Sequence, residues 1–353
     1  MSVKIRLLCL QGDGIGPEIM QATLAVLQAA ARRFDLDLQL THADIGFAAL
    51  AQQGSTIPAK VIAQAKSADG VILGPVSHNA YPPVSEGGLN PSGVLRRELE
   101  LYANIRPARA RKGTPRAIAA QIDLIIVREN LEGFYADRNM ASGSGEILVE
   151  PGVAIALRKI TSRGSARIAE AAFALAANRP RTRVTTIHKA NVLRISDGLF
   201  LAEVRKVASR YPQVVHDEML VDAAAAHLVR DPARFDVVLA TNMFGDILSD
   251  LACEIAGGLG LGASLNLGPD YAVAQAQHGS APDIAGQDRA NPSSLIGSVA
   301  MLLRHLGAQA AADAIECALD AALSTAATRT PDLGGALGTQ AFANWISTFI
   351  LEH

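Results

Sequence analysis

Apolar residues recur along this chain in two alternating rhythms. Short, nearly continuous apolar runs occupy residues 3–10, 71–73, 124–127, 184–187 and 237–240. Runs of that length predict strands buried on both faces. Between them, residues 17–33, 161–178, 196–210 and 290–306 have helical length and period. Strands alternating with helices predict an α/β architecture with a largely parallel core. Two segments break the alternation. Residues 75–93, rich in Gly, Pro, Ser and Asn, predict a loop beside a site. Residues 137–152 contain Ser-Gly-Ser-Gly and then a short β-like run at 147–149, which predicts an arm or hairpin reaching away from the body.

Composition narrows the function classes. The 353 residues are 49% hydrophobic, enough for two ordinary domains or one large α/β unit. The formal net charge of -2, with no strongly basic stretch, predicts no nucleic-acid partner. No run of 18 apolar residues predicts a membrane span. Lys4 and Arg6 interrupt the first apolar run, which a signal peptide would not tolerate. Cys9, Cys253 and Cys317 lie scattered in apolar runs, so they predict buried thiols in a reducing, cytoplasmic compartment. The densest basic cluster is Arg106, Arg109, Arg111, Lys112 and Arg116; by composition alone it predicts a solvated loop.

Five segments carry candidate chemistry. GDGIGPE at 12–18 follows a strand and opens a helix. Its glycines permit a tight turn and close approach to a ligand, and Pro17 suits a first helical turn. The spacing is GxGxG, not the GxGxxG of a dinucleotide fingerprint, so a structural turn reads equally well. Arg96, Arg106 and Arg128 each offer the planar fork that grips a carboxylate at two points, although surface ion pairs are the usual fate of an arginine. Arg128 ends an apolar strand, where α/β sheets bind ligands. Asp246 and Asp250, four apart, project from one helix face, and Asp222 precedes another helix. Such like charges call for a cation, and oxygen donors suit Mg²⁺ or Mn²⁺; helix-surface aspartates are the plain alternative. Lys189, just after a strand, can accept a proton if its environment lowers its pKa, or it is simply solvated. The loop HGSAPDIAGQDRANP at 278–292 could wrap an adenosine, with Asp283 accepting hydrogen bonds from a ribose diol.

Together these segments resemble the β-decarboxylating dehydrogenases, which act on isopropylmalate, isocitrate, homoisocitrate and tartrate or malate. The resemblance rests on GDGIGPE, LRRELELYANIRP at 95–107, VRENLEGFY at 127–135, HKANVL at 188–193, VDAAAAHLVRDPARFDVV at 221–238, TNMFGDILSD at 241–250, HGSAPDIAG at 278–286 and PDLGG at 331–335, in family order. It implies a two-domain α/β fold of the isopropylmalate/isocitrate dehydrogenase type, not Rossmann, with a cleft between the domains. Residues 1–101 with 257–353 would form the large domain. Residues 102–256 would form a small domain carrying the dimer interface and the arm near 137–152.

The resemblance also implies roles. Arg96, Arg106 and Arg128 would hold the malate carboxylates, with Asn90 and Ser92 facing the 3-substituent. Asp246 and Asp250 of one subunit and Asp222 of the other would bind Mg²⁺ or Mn²⁺. Lys189 of the second subunit, with Asp222, would take the hydroxyl proton, and Tyr135 would protonate the enol left by decarboxylation. Ile15, His278, Gly279, Ser280, Ala281, Asp283, Ile284 and Asn291 would form the NAD site. Active sites would be shared across a homodimer. Two positions depart from the pattern: Gln11 stands where a proline is common, and Gln275 where many members are acidic.

The polar pair Asn90 and Ser92 leans the substrate toward a polar or carboxylated 3-substituent, because an isopropyl group would leave those side chains unpaired. Isopropylmalate and tartrate or malate remain alternatives. A non-catalytic regulatory subunit is another, although such subunits usually lack part of the Tyr, Lys and Asp set present here. A Rossmann dehydrogenase would need the absent GxGxxG.

Overall fold

The apolar runs become strands of one sheet in a computed structural model, which describes residues 4–135, 140 and 143–353. The strands are β1 (Lys4–Leu10), β2 (Asp37–Ala43), β3 (Gly70–Leu73), β4 (Ala103–Arg109), β5 (Asp123–Glu129), β6 (Glu146–Glu150), β7 (Val153–Ala156), β8 (Arg183–His188), β9 (Val215–Leu220), β10 (Val237–Ala240), β11 (Leu265–Leu267) and β12 (Ala272–Gln275). Ten of them form a sheet in the order β2-β1-β3-β12-β11-β4-β5-β10-β8-β9. Its flanks are parallel. Its centre, through β12, β11, β4 and β5, is antiparallel. The fold is therefore a mixed α/β one, parallel-rich as the alternation predicts, and its strand order is not that of a Rossmann sheet.

Helices cover both faces: α1 (Gly16–Arg33), α2 (Gly46–Gln53), α3 (Ala59–Ser67), α4 (Pro91–Glu98), α5 (Ser162–Ala177), α6 (Ser196–Ala208), α7 (Val221–Arg230), α8 (Asn242–Ala256), α9 (Ser293–His305), α10 (Gln309–Ser324) and α11 (Thr339–Glu352). In α1, Pro17 occupies the first turn, Glu18 faces the positive end of the helix dipole, and Arg32 and Arg33 face the negative end. The helix at 290–306 starts only at Ser293, because Pro292 stands at its cap and disfavours helix in the residue before it. The apolar clusters divide the chain. Ile19, Leu27, Leu302 and Phe342 share one cluster, and Leu8, Val61 and Leu95 a second, both drawn from the two chain ends. Val127, Phe173 and Phe200 share a third, and Ile187, Leu228 and Leu248 a fourth, both from the central residues.

Several expectations change. The basic cluster is not a solvated loop: Arg106 is buried on β4, and Arg109 and Arg111 pair with Glu316 and Asp320 of α10. Cys9 and Cys253 are buried, but Cys317 is exposed. Asp222 lies inside the first turn of α7 instead of preceding it. The run at 147–149 belongs to β6, which pairs with β7 in a hairpin whose residues are all exposed. Residues 137–139, 141 and 142 of the expected arm lie outside the described residues. No described helix is long and apolar enough to cross a membrane.

Candidate active site

Arg96 of α4, Arg106 of β4 and Arg128 of β5 line one cavity of about 910 Å³, and all three are buried. The N-terminus of α4 forms one wall. Asn90 caps that helix, its Oδ1 accepting from the Gly93 N–H at 3.2 Å, and Pro91 follows in the first turn. Ser92 and Arg96, four apart, share the helix face that lines the cavity. Asn90 lines it too, but its side-chain oxygen is taken by the cap.

Helix α8 forms the opposite wall, because β10 lies beside β5 with Ala240 in register with Arg128. Arg128 is only 1% exposed. Its Nε and Nη2 donate to Asn242 Oδ1 at 2.9 and 2.7 Å, and its Nη1 donates to Asp246. A Cβ on Gly245 would lie 2.8 Å from the Arg128 side chain, so α8 crosses the arginine only because that residue is glycine. The Nη1 of Arg106 reaches Asp246 at 3.1 Å and Asp250 at 3.3 Å. Tyr135 donates its hydroxyl to Asp246, and the Arg128 guanidinium lies 5.2 Å from its ring centroid.

These contacts set protonation. Burial alone would raise the Asp246 carboxyl, but Arg128, Arg106 and the Tyr135 hydroxyl outweigh it and hold it below the usual carboxylate range. Burial pushes the Tyr135 phenol up. At neutral pH the site therefore holds a carboxylate beside a protonated phenol. Four lining arginines, at 96, 97, 106 and 128, face two lining aspartates, so the cavity suits an anion.

Asp246 and Asp250 supply the oxygen donors that a hard divalent cation takes. Asp222 does not join them. Its Oδ1 accepts from Lys189 Nζ at 2.6 Å, and that bond holds its carboxyl below the usual range. Neither Lys189 nor Asp222 lines the cavity. Among the described residues no group of three or more His, Cys, Asp or Glu side chains is assembled for a metal. One chain thus presents two carboxylates and keeps the lysine–aspartate pair apart from them.

The predicted cofactor residues lie mostly together. His278 and Gly279 line the cavity, and burial holds the His278 imidazole below its ordinary range. The Ile15 N–H donates to Ser280 O at 2.8 Å. A Cβ on Gly14, whose φ is +57°, would lie 2.0 Å from that same carbonyl. The glycines at 12–16 thus allow a close approach of this chain's own loop, beyond any ligand. Ala281 takes a left-handed backbone before the short helix Pro282–Ile284, which exposes Asp283 and leaves Ile284 half-buried. Asn291 is buried and occupied by Asp332 and the Ser293 N–H, both at 3.0 Å.

Residues that sequence reasoning passed over hold the charged groups in place. Asn242 holds Arg128, and Asn104 accepts from Arg106 Nε at 2.6 Å. Buried Asp197 accepts from the Lys189 N–H at 2.6 Å and pairs with Arg158 at 2.5 Å. Asn242 and Asn104 lie inside motifs already singled out, but an amide has no charge to draw attention, and Asp197, in the helical stretch 196–210, reads as a helix-start residue.

The family model for isocitrate/isopropylmalate dehydrogenase matches residues 6–346. A 3-isopropylmalate dehydrogenase of Archaeoglobus fulgidus is 38% identical over 345 residues, 98% of this chain and 99% of that protein. An isocitrate/homoisocitrate dehydrogenase of Thermus thermophilus is 41% identical over 338 residues, 96% of each. The crystal structure of isocitrate dehydrogenase from Methylococcus capsulatus matches with a TM-score of 0.90 at 37% identity, covering 99% of this chain and 100% of that one.

Proposed function

We propose a reaction from one premise: this chain belongs to the isocitrate/isopropylmalate dehydrogenase family. It is a dehydrogenase that oxidises and decarboxylates a hydroxy acid, and its substrate is a 3-substituted (R)-malate whose 3-substituent is polar or carboxylated, as in isocitrate or homoisocitrate. The observation that carries this reading is the convergence of Arg96, Arg106 and Arg128 on the cavity that also holds Tyr135, Asp246 and Asp250.

The arginines grip the malate carboxylates and orient the C2 hydroxyl, a two-point geometry that a lysine could not supply. Asp246 and Asp250, with Asp222 of a second copy of this chain, would hold Mg²⁺ or Mn²⁺. When bound, NAD⁺ supplies the hydride acceptor and the cation a Lewis acid at the hydroxyl and the forming carbonyl. Lys189 of the second copy takes the hydroxyl proton as a neutral amine, having first passed its own ammonium proton through Asp222 to solvent. Tyr135, kept protonated by burial, returns a proton to C3 after CO₂ leaves. Ile15 and the 278–284 loop, with Asn291, would receive the NAD⁺. This reading takes residues 1–101 with 257–353 and residues 102–256 as the two lobes of the cleft, in agreement with the division of the apolar clusters. It also takes the protein as a cytoplasmic homodimer with shared sites.

Polar Ser92 and Asn90 on the cavity wall support the substrate choice. The Asn90 oxygen caps α4 and the Ser92 hydroxyl donates to Gln275, which leaves the Asn90 amide N–H groups and the Ser92 oxygen to meet a polar substituent. Val76, Val84, Leu89 and Val94 line the same cavity and support 3-isopropylmalate as the second reading. A panel of isocitrate, homoisocitrate, 3-isopropylmalate and tartrate, assayed for NAD⁺ reduction with Mg²⁺ or Mn²⁺, separates the two. The highest kcat/KM should fall on a carboxylated 3-substituent; a preference for 3-isopropylmalate overturns that choice. Activity should vanish in excess chelator and return with either cation, and full turnover in chelator overturns the metal role.

A further inference from the structure

A chain of buried amides runs from Arg106 to Gln275, both of which line the cavity. Asn104 of β4 lies in register with Asn266 of β11 on one side and Arg128 of β5 on the other. Asn104 and Asn266 are both fully buried. An amide in such a place can point either way, but a guanidinium can only donate. Arg106 Nε is 2.6 Å from Asn104 Oδ1, so that oxygen is the acceptor. Asn104 Nδ2 must then donate, and it does, to Asn266 Oδ1 at 2.6 Å. A second constraint agrees. Asn130 Nδ2 donates to the Leu101 carbonyl at 2.9 Å, which fixes that amide, and it donates to the same Asn266 oxygen at 3.0 Å. Asn266 Nδ2 is thereby directed at two acceptors, the Val273 carbonyl at 3.3 Å and Gln275 Oε1 at 3.4 Å.

The chain ends at Gln275, on the last position of β12. Its Oε1 accepts from Asn266 and also from Ser92 Oγ, at 3.1 Å. With the oxygen committed to the protein, the amide nitrogen has no partner among the described residues, and the side chain lines the cavity. Reversing Gln275 would set its NH₂ against the NH₂ of Asn266, whose own direction is dictated by Arg106 and Asn130.

We propose that Gln275 is a specificity-determining residue, oriented by Arg106 through Asn104 and Asn266 so that its amide N–H donates to an acceptor oxygen of the bound ligand. This rests on the reaction proposed above and adds the group that reads the ligand. The acceptor is a carboxylate or carbonyl oxygen, either on the 3-substituent or on the nicotinamide carboxamide. A glutamate here would keep both acceptor bonds, to Ser92 and Asn266, but would turn a carboxylate oxygen toward the ligand. Donor would become anion with almost no change of shape.

Gln275→Glu is therefore the test, assayed on carboxylated and isopropyl 3-substituents with NAD⁺ varied. If the acceptor is on the substituent, kcat/KM should fall at least about tenfold for the carboxylated substrate, less than about twofold for 3-isopropylmalate, with KM for NAD⁺ unchanged. If it is on the nicotinamide, the loss should be equal for all substrates and KM for NAD⁺ should rise by a similar factor. The thermal midpoint should stay near that of the parent protein, since both tethers persist. Should the glutamate variant fail to fold, Gln275→Met removes the donor without adding charge, and the same readouts apply. An inactive parent protein overturns both proposals. An active parent, with variants within about twofold of it on every substrate and on NAD⁺, overturns this one alone.

Discussion

Asp246 keeps its charge in a half-buried place because Arg106 and Arg128 lie within ion-pair distance of it. Glu129, one residue after Arg128, shows the opposite outcome. Its carboxylate accepts N–H bonds from Leu131 and Glu132, but burial dominates and pushes its pKa up to about 7. The unfolded chain releases that proton near 4.5, so the fold binds the extra proton between the two values. Stability contributed by this group is therefore lost as pH rises through that window, by up to about 3 kcal/mol. Glu129→Gln should flatten this slope when unfolding free energies are compared at pH 5 and pH 8; equal slopes would mean that Glu129 titrates normally. Asp283 belongs to the same scale. It is exposed beside the loop that approaches Ile15, and a 2′-phosphate would bring roughly -1.5 to -2 charges near its carboxylate. We expect kcat/KM to favour NAD⁺ over NADP⁺ by at least about tenfold and Asp283→Lys to narrow the gap. Equal use of the two cofactors by the parent protein would remove Asp283 from that role.

At the scale of elements, α8 carries Asn242, Asp246 and Asp250 toward the arginines and exposes Ile247 between them. The β6–β7 hairpin has the same character throughout. Ile147, Leu148, Val149, Val153 and Ile155 are all exposed, and Ile147 pairs with Ile155 across it. A two-stranded hairpin is marginal alone in water, and a contiguous apolar face calls for cover. In the proposed homodimer the partner supplies it. Replacing the cross-strand pair, Ile147→Asp with Ile155→Asp, should shift sedimentation from dimer toward monomer and lower activity together. A double variant that sediments as the parent does leaves the hairpin outside the interface.

The whole molecule decides where catalysis can occur. Lys189 and Asp222 bind each other and do not line the cavity that holds Arg96, Arg106 and Arg128, so on the proposed reaction a single chain would lack its proton acceptor at the site. Two copies with two-fold symmetry can exchange these groups. Lys189→Ala and Asp246→Ala should each abolish turnover. Co-refolded in equal amounts, they should recover about a quarter of parental activity, because half of the dimers are mixed and each mixed dimer has one intact site. No recovery, with both variants folded, sinks the two-subunit site.

The buried strands were legible because a short, nearly continuous apolar run has few other fates, and Arg128 was legible because it ends such a run. The aspartates of α8 were legible for a similar reason: a spacing of four on a helix is a local fact. Strands β2 and β9 were not, since they lie at the two edges of the sheet, where exposed faces admit residues such as Gln39 and Glu218 among the apolar ones. Nor was the amide chain. Asn104, Asn130, Asn266 and Gln275 come from distant stretches, carry no charge and show no periodicity. Only strand register sets them side by side, and only the one-way donor Arg106 gives them a direction. Local pattern thus determined the elements and the types of group available for chemistry. Which groups meet, and which way each hydrogen bond runs, depends on residues more than a hundred positions apart, and packing alone brings those together.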